Sequence, residues 1–287
     1  MEMFLVFVGN GVVIGSIYAM LAMGLSFTFS IMRLVNFAHG EIYVLGSYMA
    51  WVVITKFVAN FWLGLLLAIV VGAVLGYIIE RFAYRTVYQA GYLSQFLVSL
   101  GVVVILQEAM RVGFSGLTQT CPTLFPTVRV IGKFAVTDQR LIVVGMTILI
   151  VAGIFLFFNR TKMGKAMRAT RGSPLAAGMV GISVPRMRSV AFMGCAALAT
   201  VAGALLAPIF SFQPFIGMRY TVVAIIVIVA GGIGSIGGAA IAGYALGIIE
   251  SLFAGYLLGQ WTFSVGFFIL IVVLKFRPQG LFGKERA

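Results

Sequence analysis

The chain has 287 residues, of which 62% are hydrophobic and 9% charged, with 35 glycines and a mean hydropathy of +1.12. Soluble domains carry about 25% charged residues, so the composition excludes one. It describes a polytopic membrane protein with no room for a separate catalytic domain. The net charge of +13 comes from basic residues in the short connections, where they report topology rather than a nucleic-acid partner. Cys121 and Cys195 lie in segments of different polarity, with no metal-ligand spacing.

A bilayer core takes roughly 20 apolar residues per helix. Runs of that kind fall at 4–32, 42–58, 61–80, 93–112, 140–158, 189–210, 220–236, 237–258 and 261–275. The expected fold is therefore an all-α integral membrane bundle of about eight or nine transmembrane helices, one transmembrane domain over 1–287. The first run lacks a cleavage site and reads as a span rather than a signal peptide. With the C-terminus cytoplasmic, fourteen of the twenty Lys and Arg residues fall inside, as the positive-inside rule requires. The six left outside are Lys56, Arg111, Arg129, Lys133, Arg140 and Arg219. Residues 33–41 are too polar for lipid and 231–238 too rich in glycine, so each is a candidate break buried in protein.

Several chemistries are absent. The lone histidine, His39, leaves no paired-histidine metal site, no serine sits in Gly-x-Ser-x-Gly, and no lysine precedes Ser or Thr as in a phosphate-binding loop. No cofactor is expected on this chain, and any ATP must be bound by a partner. Gly232 to Gly237 spell G-x-G-x-x-G without the strand and acidic residue that a dinucleotide site needs. Small-x-x-x-small pairs recur at Gly11/Gly15, Gly72/Gly76, Gly234/Gly238, Gly243/Gly247 and Gly255/Gly259, a spacing that lets membrane helices approach closely. Gly-Ser-Ile occurs at 15–17 and again at 234–236, a repeat that chance explains in so glycine-rich a chain.

Ionisable groups inside spans raise a functional hypothesis by default. Glu108 has Arg111 one turn away and reads as a structural pair. Glu250 has two open readings, hydrogen bonding within the bundle and lining of a pathway. Asn36, His39 and Glu41 read either as a buried network stabilising a turn or as a gate, and Gly232, Gly234 and Ser235 join them as candidate pathway positions.

Residues 159–188 form a basic cytoplasmic loop without a single acidic residue. Within it Ser173 is an N-cap, Pro174 suits the first helical position and Gly181 the position after the helix, which predicts a short helix over 174–180. The loop resembles that of ABC-importer permeases, whose coupling motif Glu-Ala-Ala-x-x-x-Gly is matched by Ala176, Ala177 and Gly181, with Leu175 in place of the glutamate. Four blocks extend the resemblance to the branched-chain amino-acid permease family of LivH/LivM type: Asn10 to Glu41, with Arg33-Leu34-Val35-Asn36-Phe37-Ala38-His39-Gly40-Glu41; Thr161 to Ala169; Gly231 to Ser251; and Arg277-Pro278-Gln279-Gly280-Leu281-Phe282-Gly283.

The resemblance implies an ABC-importer permease fold in the bacterial inner membrane. It also implies a second, LivM-like permease subunit, two ATPase subunits and an extracytoplasmic substrate-binding protein as partners. Gly164, Arg168, Ala169, Leu175, Ala176, Ala177 and Gly181 would contact the ATPases, and Ala177→Glu is expected to uncouple without unfolding. Leucine, isoleucine and valine are the implied substrates; urea, short amides, other amino acids and aromatic acids fit the same architecture. An ion-driven carrier and a membrane-embedded enzyme are the readings from other classes.

Overall fold

The computed structural model describes residues 2–32, 34–131, 134–257 and 259–283. Four of the basic residues counted for topology, Arg33, Lys133, Lys284 and Arg286, lie outside the described residues. Each of the nine apolar runs becomes a helix. In chain order these are α1 (Glu2–Met32), α2 (His39–Val52), α3 (Phe61–Ile79), α4 (Tyr92–Phe114), α5 (Asp138–Arg160), α8 (Val184–Leu206), α9 (Gly217–Gly231), α10 (Ile236–Tyr256) and α11 (Thr262–Phe276). Two shorter helices, α6 (Lys162–Gly172) and α7 (Pro174–Met179), lie within the basic loop, and a hairpin of β1 (Val128–Ile131) and β2 (Phe134–Thr137) precedes α5. The chain is a multi-pass membrane protein: six helices are long and apolar enough to cross a bilayer, α1, α3 with its continuation to Val87, α4, α5, α8 and α10.

The short helices α2 and α9 carry the architecture. His39, the first residue of α2, touches Gly24 of α1 and Cys195 of α8. Cys195 is the twelfth of 23 residues in α8, so α2 starts about 17 Å from either end of that helix at 1.5 Å per residue. Gly40 then packs against Gly217, whose carbonyl fills the space a Cβ at position 40 would need. Helix α9 therefore also starts half-way across. The linking backbone at 34–38 and 207–216 descends from the ends of α1 and α8 to this depth in non-regular conformation.

Backbone polar groups at that depth need protein partners, and they have them. Ser99 Oγ accepts from the Phe37 amide at 2.7 Å, Thr221 Oγ1 donates to the Phe37 carbonyl at 2.9 Å, and Asn36 Oδ1 accepts from the Ala38 amide at 3.0 Å. The second segment is tied to the connection between α4 and β1 by paired backbone bonds between Phe212 and Gln119.

The halves α1–α4 and α8–α11 have opposite polarity. Helix α1 lies antiparallel along α10, as α8 lies along α3; α2 packs on α3 and α8, as α9 packs on α10 and α1. This is the inverted arrangement found in transporters. The repeated Gly-Ser-Ile does not encode it, because one copy falls on α1 and the other at the start of α10, which are not equivalent elements.

Small residues set the crossings. A Cβ on Gly15 would stand 2.8 Å from the Tyr244 Cα, and one on Gly76 2.7 Å from the Ala196 Cβ. Three of the expected pairs, Gly11/Gly15, Gly72/Gly76 and Gly243/Gly247, lie at such crossings. In the other two only one member makes a close contact: Gly234 lies in the turn before α10 while Gly238, in the first turn of α10, packs on the Gly231 carbonyl, and Gly255 packs on the Phe7 ring while Gly259 faces open space.

Candidate functional site

The basic end of the bundle is built by α6 and α7. Thr161 caps α6 by accepting from the Gly164 amide at 3.0 Å, and Ser173 caps α7 by accepting from the Ala176 amide at 3.2 Å with Pro174 in the first turn. Helix α7 ends one residue earlier than expected, at Met179, with Val180 as its C-cap. Gly181 follows at φ +84°. Its amide donates to Gly178 at 3.0 Å and that of Ile182 to Ala177 at 3.0 Å, the paired bonds of a Schellman motif. Two of the expected contact residues turn inward. Ala177 is 3% exposed beneath α7, and Gly164 packs on the carbonyls of Phe157 and Phe158. Ala177→Glu would thus bury a charge, and the expectation that it leaves folding intact is corrected. The outward face of α7 is formed by Leu175, Ala176, Met179 and Val180, and Arg168 and Ala169 are exposed on α6.

The glycine-rich turn between α9 and α10 adjoins this surface. Gly232 and Gly234 have φ of +101° and +84°, and Ser235 caps α10 by accepting from Gly238 at 3.1 Å. The turn holds neither a nucleotide loop nor a break in mid-helix, because the C-terminal segment closes it: Leu281 donates to Ala230 at 2.8 Å and Phe282 to Gly231 at 3.2 Å. The Gly234 carbonyl accepts from Arg171 of α6 at 3.0 Å and from Ser30 of α1 at 3.2 Å. One carbonyl thus joins α6, the end of α1 and the start of α10. A cavity of about 600 Å³ beside it is lined by Arg168, Arg171, Ser235 and Phe282.

The other candidate cluster sits at half depth. Asn36 Oδ1 accepts from the Tyr84 hydroxyl at 2.8 Å. His39 Nε2 lies 3.0 Å from the Leu21 carbonyl, which can only accept, so Nε2 carries the proton and Nδ1 accepts from the Cys195 thiol at 3.4 Å. Fully buried between α1 and α8, His39 locks the start of α2 to both. Glu41 accepts from Gln107 at 2.9 Å, and its carboxylate abuts Gly217 in the first turn of α9, where the helix dipole favours a negative charge.

Arg219 is the unexpected member. The sequence placed it in an outer connection, but it stands in the first turn of α9, exposed on the protomer, with its guanidinium 5.4 Å over the Phe263 ring. A charge at the hydrocarbon centre costs about 2.5–3.5 kcal/mol on insertion scales, so this position is not a neutral one.

Glu250 accepts from the Tyr18 hydroxyl at 2.6 Å and lines a cavity of about 340 Å³ with Asn10, Arg140, Phe210 and Thr262. Hydrogen bonding within the bundle is therefore the reading of Glu250 that the geometry shows. Glu108 pairs with Arg111 at 2.7 Å on an exposed face. Sequence reading missed Glu80. It is fully buried, accepts from Ser189 at 2.6 Å and Tyr88 at 3.1 Å, and lies 3.6 Å from Arg85. Burial and this carboxylate push the Tyr88 phenol up. Arg85, one turn beyond a run that ends in Glu80, was the available signal.

Half-depth helices within an inverted bundle, and small capped helices at its basic end, define a polytopic permease. The chain belongs to the family described as branched-chain amino acid transport system, permease component, whose profile matches residues 7–274. It is 34% identical to the high-affinity branched-chain amino acid transport system permease protein LivH of Escherichia coli K12, over 96% of this chain and 94% of that one. It is equally similar to BraD of Pseudomonas aeruginosa, and 30% identical to the probable LivH of Methanocaldococcus jannaschii over 96% of this chain and 91% of the relative. Among solved structures, PsaBC from Streptococcus pneumoniae in complex with Fab aligns with a TM-score of 0.55 at 16% identity, over 96% of this chain and 94% of that one. That likeness is one of fold.

Proposed function

We propose that this chain is the permease subunit of an ATP-driven importer of leucine, isoleucine and valine in the bacterial cytoplasmic membrane. Family membership over residues 7–274 carries the reading, and the names of the relatives point to the substrates. The C-terminus and the α6–α7 surface face the cytoplasm, in keeping with the bias of Lys and Arg. Two ATPase subunits dock on the outward face of α7 and hydrolyse ATP there, so this chain needs no cofactor. A second permease subunit completes the pathway, and an extracytoplasmic binding protein delivers the amino acid. Nucleotide-driven motion of α7 and α6 reaches the bundle through Arg171 and the Gly234 carbonyl, and it biases inward against outward opening.

The test is isolation of the tagged chain from native membranes in mild detergent, identification of copurifying subunits by mass spectrometry, and ATPase assay of the complex. ATPases that copurify and respond to a leucine-loaded binding protein are expected. A chain that purifies alone and transports in liposomes under an ion gradient overturns the reading.

A further inference from the structure

We infer that Arg219 faces the water-filled translocation pathway and meets the carboxylate of the transported amino acid. The inference rests on the importer reading for its cargo and on geometry for its place. Arg219 belongs to the first turn of α9, and α9 starts beside Gly40, level with the middle of α8. A charged side chain at that depth faces the interior of a bundle or a water-filled cavity rather than lipid. Its exposure on the isolated protomer is therefore exposure to a pathway rather than to lipid.

Its surroundings leave the charge available. Among the described residues it makes no ion pair, and its neighbour on α11 is the Phe263 ring. Glu250 accepts from the Tyr18 hydroxyl instead, and Tyr220, next to Arg219 in α9, packs its ring on that of Tyr43. The start of α9 already receives the Glu41 carboxylate, so the helix end is satisfied from within and the guanidinium is the cation left for another anion. A guanidinium binds a carboxylate through two parallel N–H donors, and every branched-chain amino acid presents one. The aliphatic part of such a cargo needs no polar partner, so a single cation among tyrosine and phenylalanine rings suits it.

The test uses the complete transporter complex in proteoliposomes. Arg219→Cys is treated with a small anionic, membrane-impermeant methanethiosulfonate, with the unsubstituted complex as background. Both native cysteines are buried, and burial pushes the Cys121 thiol up to about 12, so their background is low. Labelling of Arg219→Cys in at least one nucleotide state, reduced by leucine-loaded binding protein with ATP, is expected. In parallel, Arg219→Gln should lower leucine uptake tenfold or more while receptor-stimulated ATP hydrolysis persists, and Arg219→Lys should restore part of the uptake. Absence of labelling in every state places the side chain against protein and overturns the inference, as does unchanged uptake in Arg219→Gln. Loss of assembly in Arg219→Gln together with unlabelled Arg219→Cys assigns a structural role and overturns it too. If the unsubstituted complex does not take up leucine, the importer reading fails for that cargo, while labelling still decides whether the residue faces water.

Discussion

At the scale of single residues, the centre of the bundle depends on positions where a side chain is forbidden and on buried polar groups that must be paired. Gly40 lies against the Gly217 carbonyl, and Gly46 against the Thr200 backbone. Neither neighbour is a flexible side chain that could give way, so Gly40→Ala should cost at least the 1–3 kcal/mol typical of overpacking. Loss of the monodisperse peak in detergent gel filtration checks it. Glu80 is read by the same logic. Glu80→Ala removes the carboxylate acceptor of Tyr88 and leaves Ser189 only the Pro185 carbonyl, and it should cost about 1.5–3 kcal/mol, the range for hydrogen bonds to a charged group. Glu80→Gln keeps an acceptor and should lose less, and the order of the two unfolding temperatures is the observable. The sequence offered Asn36, His39 and Glu41 as a cluster because they are adjacent in the chain. It could not offer Glu80 with Ser189, or His39 with Cys195, since those partners are 109 and 156 residues apart.

At the scale of elements, the two half-depth helices were legible as apolar runs and illegible as half-spans. Hydropathy reports that a segment avoids water, and a helix buried in protein avoids water as well as one facing lipid. The caps of α7 were legible, because Ser173, Pro174 and Gly181 act on backbone groups within a few residues of themselves, whereas α6 and its Thr161 cap came from the structure. Which side of α7 faces out was not, since that depends on where α6 and α8 lie. The exposed Leu175 and Met179, at 79% and 82%, set the prediction: Leu175→Asp should abolish ATP-driven uptake while the protein keeps its gel-filtration profile. Ala177→Glu, beneath the helix, should fail in both assays. Arg171→Gln removes the charged donor to the Gly234 carbonyl, and it should lower uptake per ATP hydrolysed while the copurifying ATPases stay bound. Equal coupling ratios would remove Arg171 from the route.

At the scale of the whole molecule, the inverted halves place α6 and α7 at the end where the C-terminal segment closes the α9–α10 turn, and the hairpin of β1 and β2 at the other. Cysteines at Leu175 and at exposed Arg129 should therefore label from opposite sides: Arg129→Cys in intact cells, Leu175→Cys only after the membrane is opened or inverted. Labelling of both from one side would contradict the orientation set by Lys and Arg.

The sequence by itself determined that the chain lives in a membrane, where its nine apolar segments lie, which loop is basic, and which residues cap the short helix that begins at Pro174. Each of these is a local property, settled by burial of apolar area or by hydrogen bonds within a turn. Tertiary structure alone decided that α2 and α9 start level with the middle of α8, that Ala177 is hidden and Leu175 presented, and that Arg219 stands in the first turn of α9 over the Phe263 ring. Depth and facing are relations between segments far apart in the chain, and only the packing of small residues at specific crossings assigns them.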